Sequence, residues 1–161
     1  MGESWYDTAQ ICLNGHTVNA SSKGYPQHNQ LHCKRCGAGT TTECSACKAE
    51  IRGDYNVPSV FVSSHFKAPA FCHNCGKPYP WTQKGLEAAR ELAAEIEGLT
   101  DAERAFLTSS LDDLVRDTPQ TNVAAVRFKK IVSKTGTAVA QGFKDILINI
   151  VSETVKKLIW P

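Results

Sequence analysis

Three Cys-x-x-Cys pairs, "CKRC" at 33–36, "CSAC" at 44–47 and "CHNC" at 72–75, take six of the seven cysteines in this chain. Such a turn aims two sulfurs at one ion at about 2.3 Å, and backbone amides donate hydrogen bonds to the sulfurs. Half a tetrahedral site is therefore written into each pair. The seventh cysteine, Cys12, is followed four positions later by His16 in "CLNGH". Cys-x3-His sets a sulfur and an imidazole nitrogen on a slightly wider turn, and Asn14-Gly15 suits tight backbone there. The alternative is a buried free thiol beside an unrelated histidine. With His16 counted, the ligands are Cys12, His16, Cys33, Cys36, Cys44, Cys47, Cys72 and Cys75, enough for two zinc ions.

The gaps between successive pairs are 16, 7 and 24 residues. Used in chain order, the pairs make a Cys₃His site and a Cys₄ site, each closing its own ribbon with room for two strands. A cross-braced or a nested pairing would use the same eight residues. In "CKRCG" and "CHNCG" a glycine follows the second cysteine, whereas "CSACK" puts Lys48 there. Rival chemistries fit less well. A c-type haem needs His directly after Cys-x-x-Cys, and a redox dithiol needs a βαβ setting. The zinc-deaminase signature is missing. "CHNCGKPY" leaves iron as a minor option at a four-cysteine site. Four protein ligands leave no coordination position open, so the sites read as structural. His28, His32, His65 and His73 fall outside the ligand set.

All seven cysteines precede residue 76, which divides the chain. Residues 1–81 read as a double zinc-ribbon domain and residues 82–161 as an amphipathic helical domain, an α+β chain overall. Residues 1–81 carry seven Lys/Arg and five Asp/Glu, and residues 82–161 carry eleven of each. Seven thiolates subtract seven charges and two divalent ions restore four, taking the formal +2 to −1. That balance disfavours a general nucleic-acid binder. "MGESWYDTAQ" has neither the basic start nor the apolar stretch of a signal peptide, and no apolar run approaches the ~20 residues that span a bilayer. Paired cysteines used for metal fit a reducing, cytoplasmic setting.

Between the third and fourth pairs, Val60, Phe61 and Val62 suggest a strand bracketed by Pro58 and Pro69. After "KPYPWT" the period becomes helical, and about four helices are expected. The first has Thr82 as N-cap and Leu86, Ala89, Leu92, Ala93 and Ile96 on one face, closed by Gly98. The second starts with a capping box, Thr100 and Glu103, before Leu107, Leu111 and Leu114. The third has Asp117 or Thr118 as cap with Pro119 at its first position, ending near Gly136. The fourth, 137–161, aligns Val139, Phe143, Leu147, Ile150, Val151, Val155 and Leu158.

"ICLNGH", "CKRCG…CSAC…IRG", "PAFCHNCGKPYPWT" and "RFKKIVSK…SETVKKLIW" together resemble a family of uncharacterised bacterial zinc-ribbon proteins, domain of unknown function 2321. The resemblance covers nearly the whole chain; it implies a bacterial source and metal binding at the eight residues above, and no activity. The residues show no Gly-rich phosphate loop and no nucleophile elbow. The expectation is a non-catalytic protein-interaction or adaptor module, its partner another protein or a second copy. Two alternatives stand beside it. One is nucleic-acid binding through Lys34, Arg35, Lys48 and Arg52, although no aromatics interleave with these basic residues in the sequence. The other is membrane-surface contact through 137–161, whose last helix ends "KKLIWP".

Overall fold

The computed structural model describes residues 2–61 and 65–161, and the chain divides into two compact units, residues 1–81 and 82–161. Among the described residues, the first unit holds five short strands: β1 Trp5–Thr8, β2 Gln10–Cys12, β3 Thr17–Asn19, β4 Thr40–Thr41 and β5 Arg52–Asn56. β2 is central in a three-stranded antiparallel sheet, β3-β2-β4, while β1 and β5 form a separate antiparallel ribbon. In that ribbon Trp5 faces Asn56 and Tyr6 faces Tyr55, and the register shifts between Tyr6 and Thr8. Asp7 sits at this bulge. Its carboxylate accepts from the backbone N–H groups of Thr8, Lys23 and Gly24 at 2.6, 3.0 and 2.9 Å, pinning the loop after β3 to the ribbon.

The core of this unit is small: Ala9, Ile11, Ile51, Tyr79 and Trp81, together with Cys12, Cys33, Cys44 and Cys72, are buried. The expected strand at residues 60–62 runs beyond the described residues, and its described part, Val60 and Phe61, belongs to no named strand. The strand lies earlier, at β5, and Val57–Val60 closes a turn, with Val60 N–H donating to Val57 O at 3.2 Å. Pro58 has no N–H for a ladder, and Ser59 takes a left-handed φ of 64°, so the chain reverses there. Val62 lies outside the described residues.

Among the described residues there are five α-helices: α1 Pro80–Ala94, α2 Asp101–Val115, α3 Thr121–Val132, α4 Thr137–Leu147 and α5 Glu153–Ile159. α2 carries the expected capping box, in which the Thr100 hydroxyl accepts from Glu103 N–H and the Glu103 carboxylate accepts from Thr100 N–H. Three helical expectations are corrected. α1 begins at Pro80, whose fixed φ suits a first helical position, and Thr82 is fully buried inside it. α3 begins at Thr121, after a turn in which the Thr121 hydroxyl donates to Arg116 O and accepts from Thr118 N–H. The final helix is two, because the Ser152 side chain accepts from Val155 N–H and caps a fresh start. Within α5, Ile159 is buried one turn after Val155, and Leu158 is 39% exposed.

The second unit has the larger core: Leu107, Leu111, Leu114, Phe128, Phe143, Leu147, Val151 and Val155 are all essentially inaccessible. The apolar stripe of residues 137–161 thus belongs to this core. Trp160 packs edge-on to Phe128, with ring centroids 6.4 Å apart, and Lys129 donates to Leu158 O at 3.2 Å. Among the described residues, no helix is long and apolar enough to cross a membrane.

Candidate metal centres

The eight ligand candidates fall into two tetrads, Cys12–His16–Cys33–Cys36 and Cys44–Cys47–Cys72–Cys75. The pairs are therefore used in chain order. Each Cys-x-x-Cys turn is built by the same two backbone bonds. In the first, Gly37 N–H donates to Cys33 O at 2.7 Å and Cys33 N–H to Ala38 O at 2.8 Å. Lys48 and Cys44, then Gly76 and Cys72, repeat the pattern. The residue after the second cysteine is left-handed each time, with φ of 73° at Gly37, 64° at Lys48 and 73° at Gly76. Glycine takes this conformation without strain, and Lys48 takes it despite its Cβ. The wider Cys12–His16 turn uses Gly15, at φ 89°, where a Cβ would lie 2.9 Å from that of Trp81.

Distances across the tetrads match a tetrahedral ion. Cys12 and Cys36 sulfurs are 3.8 Å apart, as are Cys44 and Cys75, and Cys47 and Cys72 are 3.7 Å apart. Four sulfurs each about 2.3 Å from a shared zinc stand about 3.8 Å from one another. His16 Nδ1 lies 3.5 Å from both Cys12 and Cys33 sulfurs. That is the edge, about 3.5 Å, set by Zn–N of about 2.0 Å and Zn–S of about 2.3 Å. None of the seven cysteines is in a disulfide, which would draw sulfurs to about 2.05 Å.

Hydrogen bonds to sulfur surround both tetrads. His16 N–H donates to Cys12 at 3.3 Å, Arg35 N–H to Cys33 at 3.4 Å and Asn74 N–H to Cys72 at 3.4 Å. Two side-chain amides reach across the sites: Asn14 donates to Cys36 at 3.4 Å and Asn74 to Cys47 at 3.5 Å. The Ala38 backbone N–H, and then the Asn14 amide, draw the Cys36 thiol down to about 6. Thiolates held by donors are ready ligands. Sequence reasoning missed both asparagines, although each lies between the two ligands of its pair. It also missed Tyr79 and Trp81, whose rings stack 4.6 Å apart. Tyr79 is buried, and burial followed by the charge of Cys72 holds its phenol well above the usual range. Trp81 Nε1 donates to Pro69 O at 2.8 Å. The stack therefore joins the Gly15 turn of the first tetrad to the second.

The four basic residues near the knuckles are all exposed and are not equivalent. Lys34 and Arg35 are the two residues between the cysteines of the first Cys-x-x-Cys turn. Lys48 pairs with Glu43 at 3.5 Å, and Arg52 lies over the Tyr6 ring, 4.9 Å from its centroid. Tyr6 in turn contacts Tyr55. The ribbon thus brings an aromatic pair to a basic residue that the linear sequence separates. His28, His32, His65 and His73 are exposed, outside both tetrads.

A family model described as an uncharacterised protein conserved in bacteria, DUF2321, matches residues 5–159. No curated protein and no solved structure matches the chain.

Proposed function

The chain belongs to this family of proteins conserved in bacteria, and we propose that it is a non-catalytic zinc-binding protein whose helical unit docks another protein. Two zinc ions hold the ribbon unit, through Cys12, His16, Cys33 and Cys36 at one site and Cys44, Cys47, Cys72 and Cys75 at the other. The observation that carries this reading is the pair of tetrads with tetrahedral edges, each complete in protein ligands. A four-ligand site leaves no place for water or substrate, which supports a structural role over a catalytic one. Thiolate-rich tetrahedra select zinc over hard cations, and the reducing cytoplasm preserves their ligands.

Elemental analysis of the purified chain is expected to find close to two zinc per molecule, with all seven thiols protected from alkylation under native conditions. One zinc, with Cys12 freely alkylated, overturns the two-site model. The interaction half is tested by copurification of the tagged chain from its own host at moderate salt after nuclease treatment. A stoichiometric protein partner supports it.

A second reading, nucleic-acid contact through the ribbon unit, is favoured by the Arg52–Tyr6–Tyr55 cluster, since exposed rings beside a cation are stacking surfaces. It requires retention of single-stranded nucleic acid at moderate salt, weakened by Arg52→Glu or Tyr6→Ala. Recovery only before nuclease would also move the weight to this reading.

A further inference from the structure

Among the described residues, the Tyr79 hydroxyl is the one buried side-chain oxygen or nitrogen without a hydrogen-bond partner. Tyr79 is 1% exposed, so solvent does not serve that hydroxyl either. A buried donor left unpaired is costly, and such atoms are rare in folded chains.

Its place in the third knuckle says where it can find an acceptor. Phe71 pairs with Pro78, Cys72 N–H donates to Lys77 O at 2.9 Å, and Tyr79 N–H donates to Ala70 O at 3.0 Å. Alternate residues of an antiparallel pair share a face, so Tyr79 stands diagonal to Cys72 on the face that carries its sulfur, within reach of a long aromatic side chain. After burial itself, the charges of Cys72, and then of Cys44 and Cys47, weigh most on this phenol. Cys72 is 2% exposed, and its sulfur accepts from Asn74 N–H at 3.4 Å. A thiolate shut away from water gains from every further donor.

The other two knuckles show what else this position accepts. The same register puts Ile51 there after Cys44 and Cys47, with its N–H donating to Thr42 O at 2.9 Å, and Ile51 is fully buried. It puts Thr40 there after Cys33 and Cys36, and the Thr40 hydroxyl donates to Gln30 O at 2.7 Å. An apolar side chain is therefore enough to fill the place, and a hydroxyl put there finds an acceptor. The ring of Tyr79 is accounted for by its stack on Trp81; its oxygen is not.

We propose that in the zinc-loaded second centre the Tyr79 hydroxyl donates a hydrogen bond to the Cys72 thiolate, and so holds the ion and quiets the sulfur as a nucleophile. Tyr79 is then a positioning residue of that centre and has no counterpart at the first. This rests on reading Cys44, Cys47, Cys72 and Cys75 as a zinc centre.

The test is Tyr79→Phe in the full chain, which deletes the hydroxyl and leaves a ring to stack on Trp81. Zinc is counted in both chains by elemental analysis and then withdrawn with a chromophoric chelator, and the cysteines that open to alkylation are located by mass spectrometry. The zinc affinity of the second centre is expected to fall about tenfold, with Cys72 and Cys75 opening at lower chelator than in the native chain and the first centre unchanged. With cobalt(II) in place of zinc, the sulfur-to-metal charge-transfer band is expected to move to longer wavelength, because a thiolate that has lost a hydrogen bond gives up electron density more readily. Ile51→Val, which trims packing at the equivalent position, is expected to leave that band in place. A hydroxyl that only fills space gives the opposite sign, since deleting an unpaired buried donor relieves its cost. An unmoved band, a band moved equally by Ile51→Val, or a second centre that holds zinc as tightly as before overturns the proposal and leaves the two-zinc reading intact. A native chain whose second centre holds no zinc removes both.

Discussion

Lys48 shows how much a single position records about its site. The three knuckles share one backbone course, and two of them place glycine where φ is positive. Lys48 holds the same conformation with a side chain and gains only an exposed pair with Glu43. An L-residue pays about 1 kcal/mol for that geometry, and an exposed ion pair returns little. Lys48→Gly is therefore expected to raise the denaturant-unfolding stability of the zinc-loaded ribbon unit by about 0.5–1 kcal/mol. A loss of stability would mean that the cation interacts with the anionic Cys₄ site more strongly than its contact with Glu43 indicates.

At the level of elements, the break between α4 and α5 depends on Ser152. Its hydroxyl oxygen accepts from Val155 N–H, and Glu153 stands in the first turn, where a negative charge favours the helix start. Ser152→Ala is expected to cost about 1 kcal/mol in the denaturation midpoint of the helical unit, while Ser152→Gly costs only a few tenths. Equal losses would show that the cap contributes little. This break also marks where sequence reading stopped short. The apolar stripe from Val139 to Val155 continues through it, so periodicity alone runs the two helices together, while the serine that separates them is one polar residue among several. The ligands were more legible, because both partners of each pair are four or fewer residues apart and local turns bring them together. The β1–β5 ribbon was hidden for the opposite reason. Its partners, Tyr6 and Tyr55, are far apart in sequence, and the bulge at Asp7 offsets the alternation that would have marked the strand. Of the two sulfur-donating asparagines, Asn14 reads from the sequence only as a turn residue and Asn74 draws no signal, since asparagine in a turn is ordinary.

At the scale of the molecule, the two units are stabilised by different means. The ribbon unit buries few large apolar side chains, chiefly Ile11, Ile51, Tyr79 and Trp81, whereas the helical unit has a full aliphatic and aromatic core. Stripping zinc with a strong chelator is therefore expected to unfold residues 1–81 and leave most of the helical circular dichroism intact. Trp81 emission should change as its stack with Tyr79 comes apart, and protease cuts should concentrate in residues 1–81. Simultaneous loss of the helical signal would show that the second unit cannot stand on its own core.

The pairing of ligands in chain order also bears on how the protein is made. Cys36 completes the first tetrad and precedes Cys75, the last ligand of the second, by thirty-nine residues. On the ribosome the ligands of the first tetrad are all present while the second site is still unmade, before Cys44 and Cys47 emerge. Thiols from the two halves therefore have little time to compete for one metal. In a cross-braced arrangement the first site would not close until Cys47, with Cys33 and Cys36 standing unpaired beside it and open to wrong pairing.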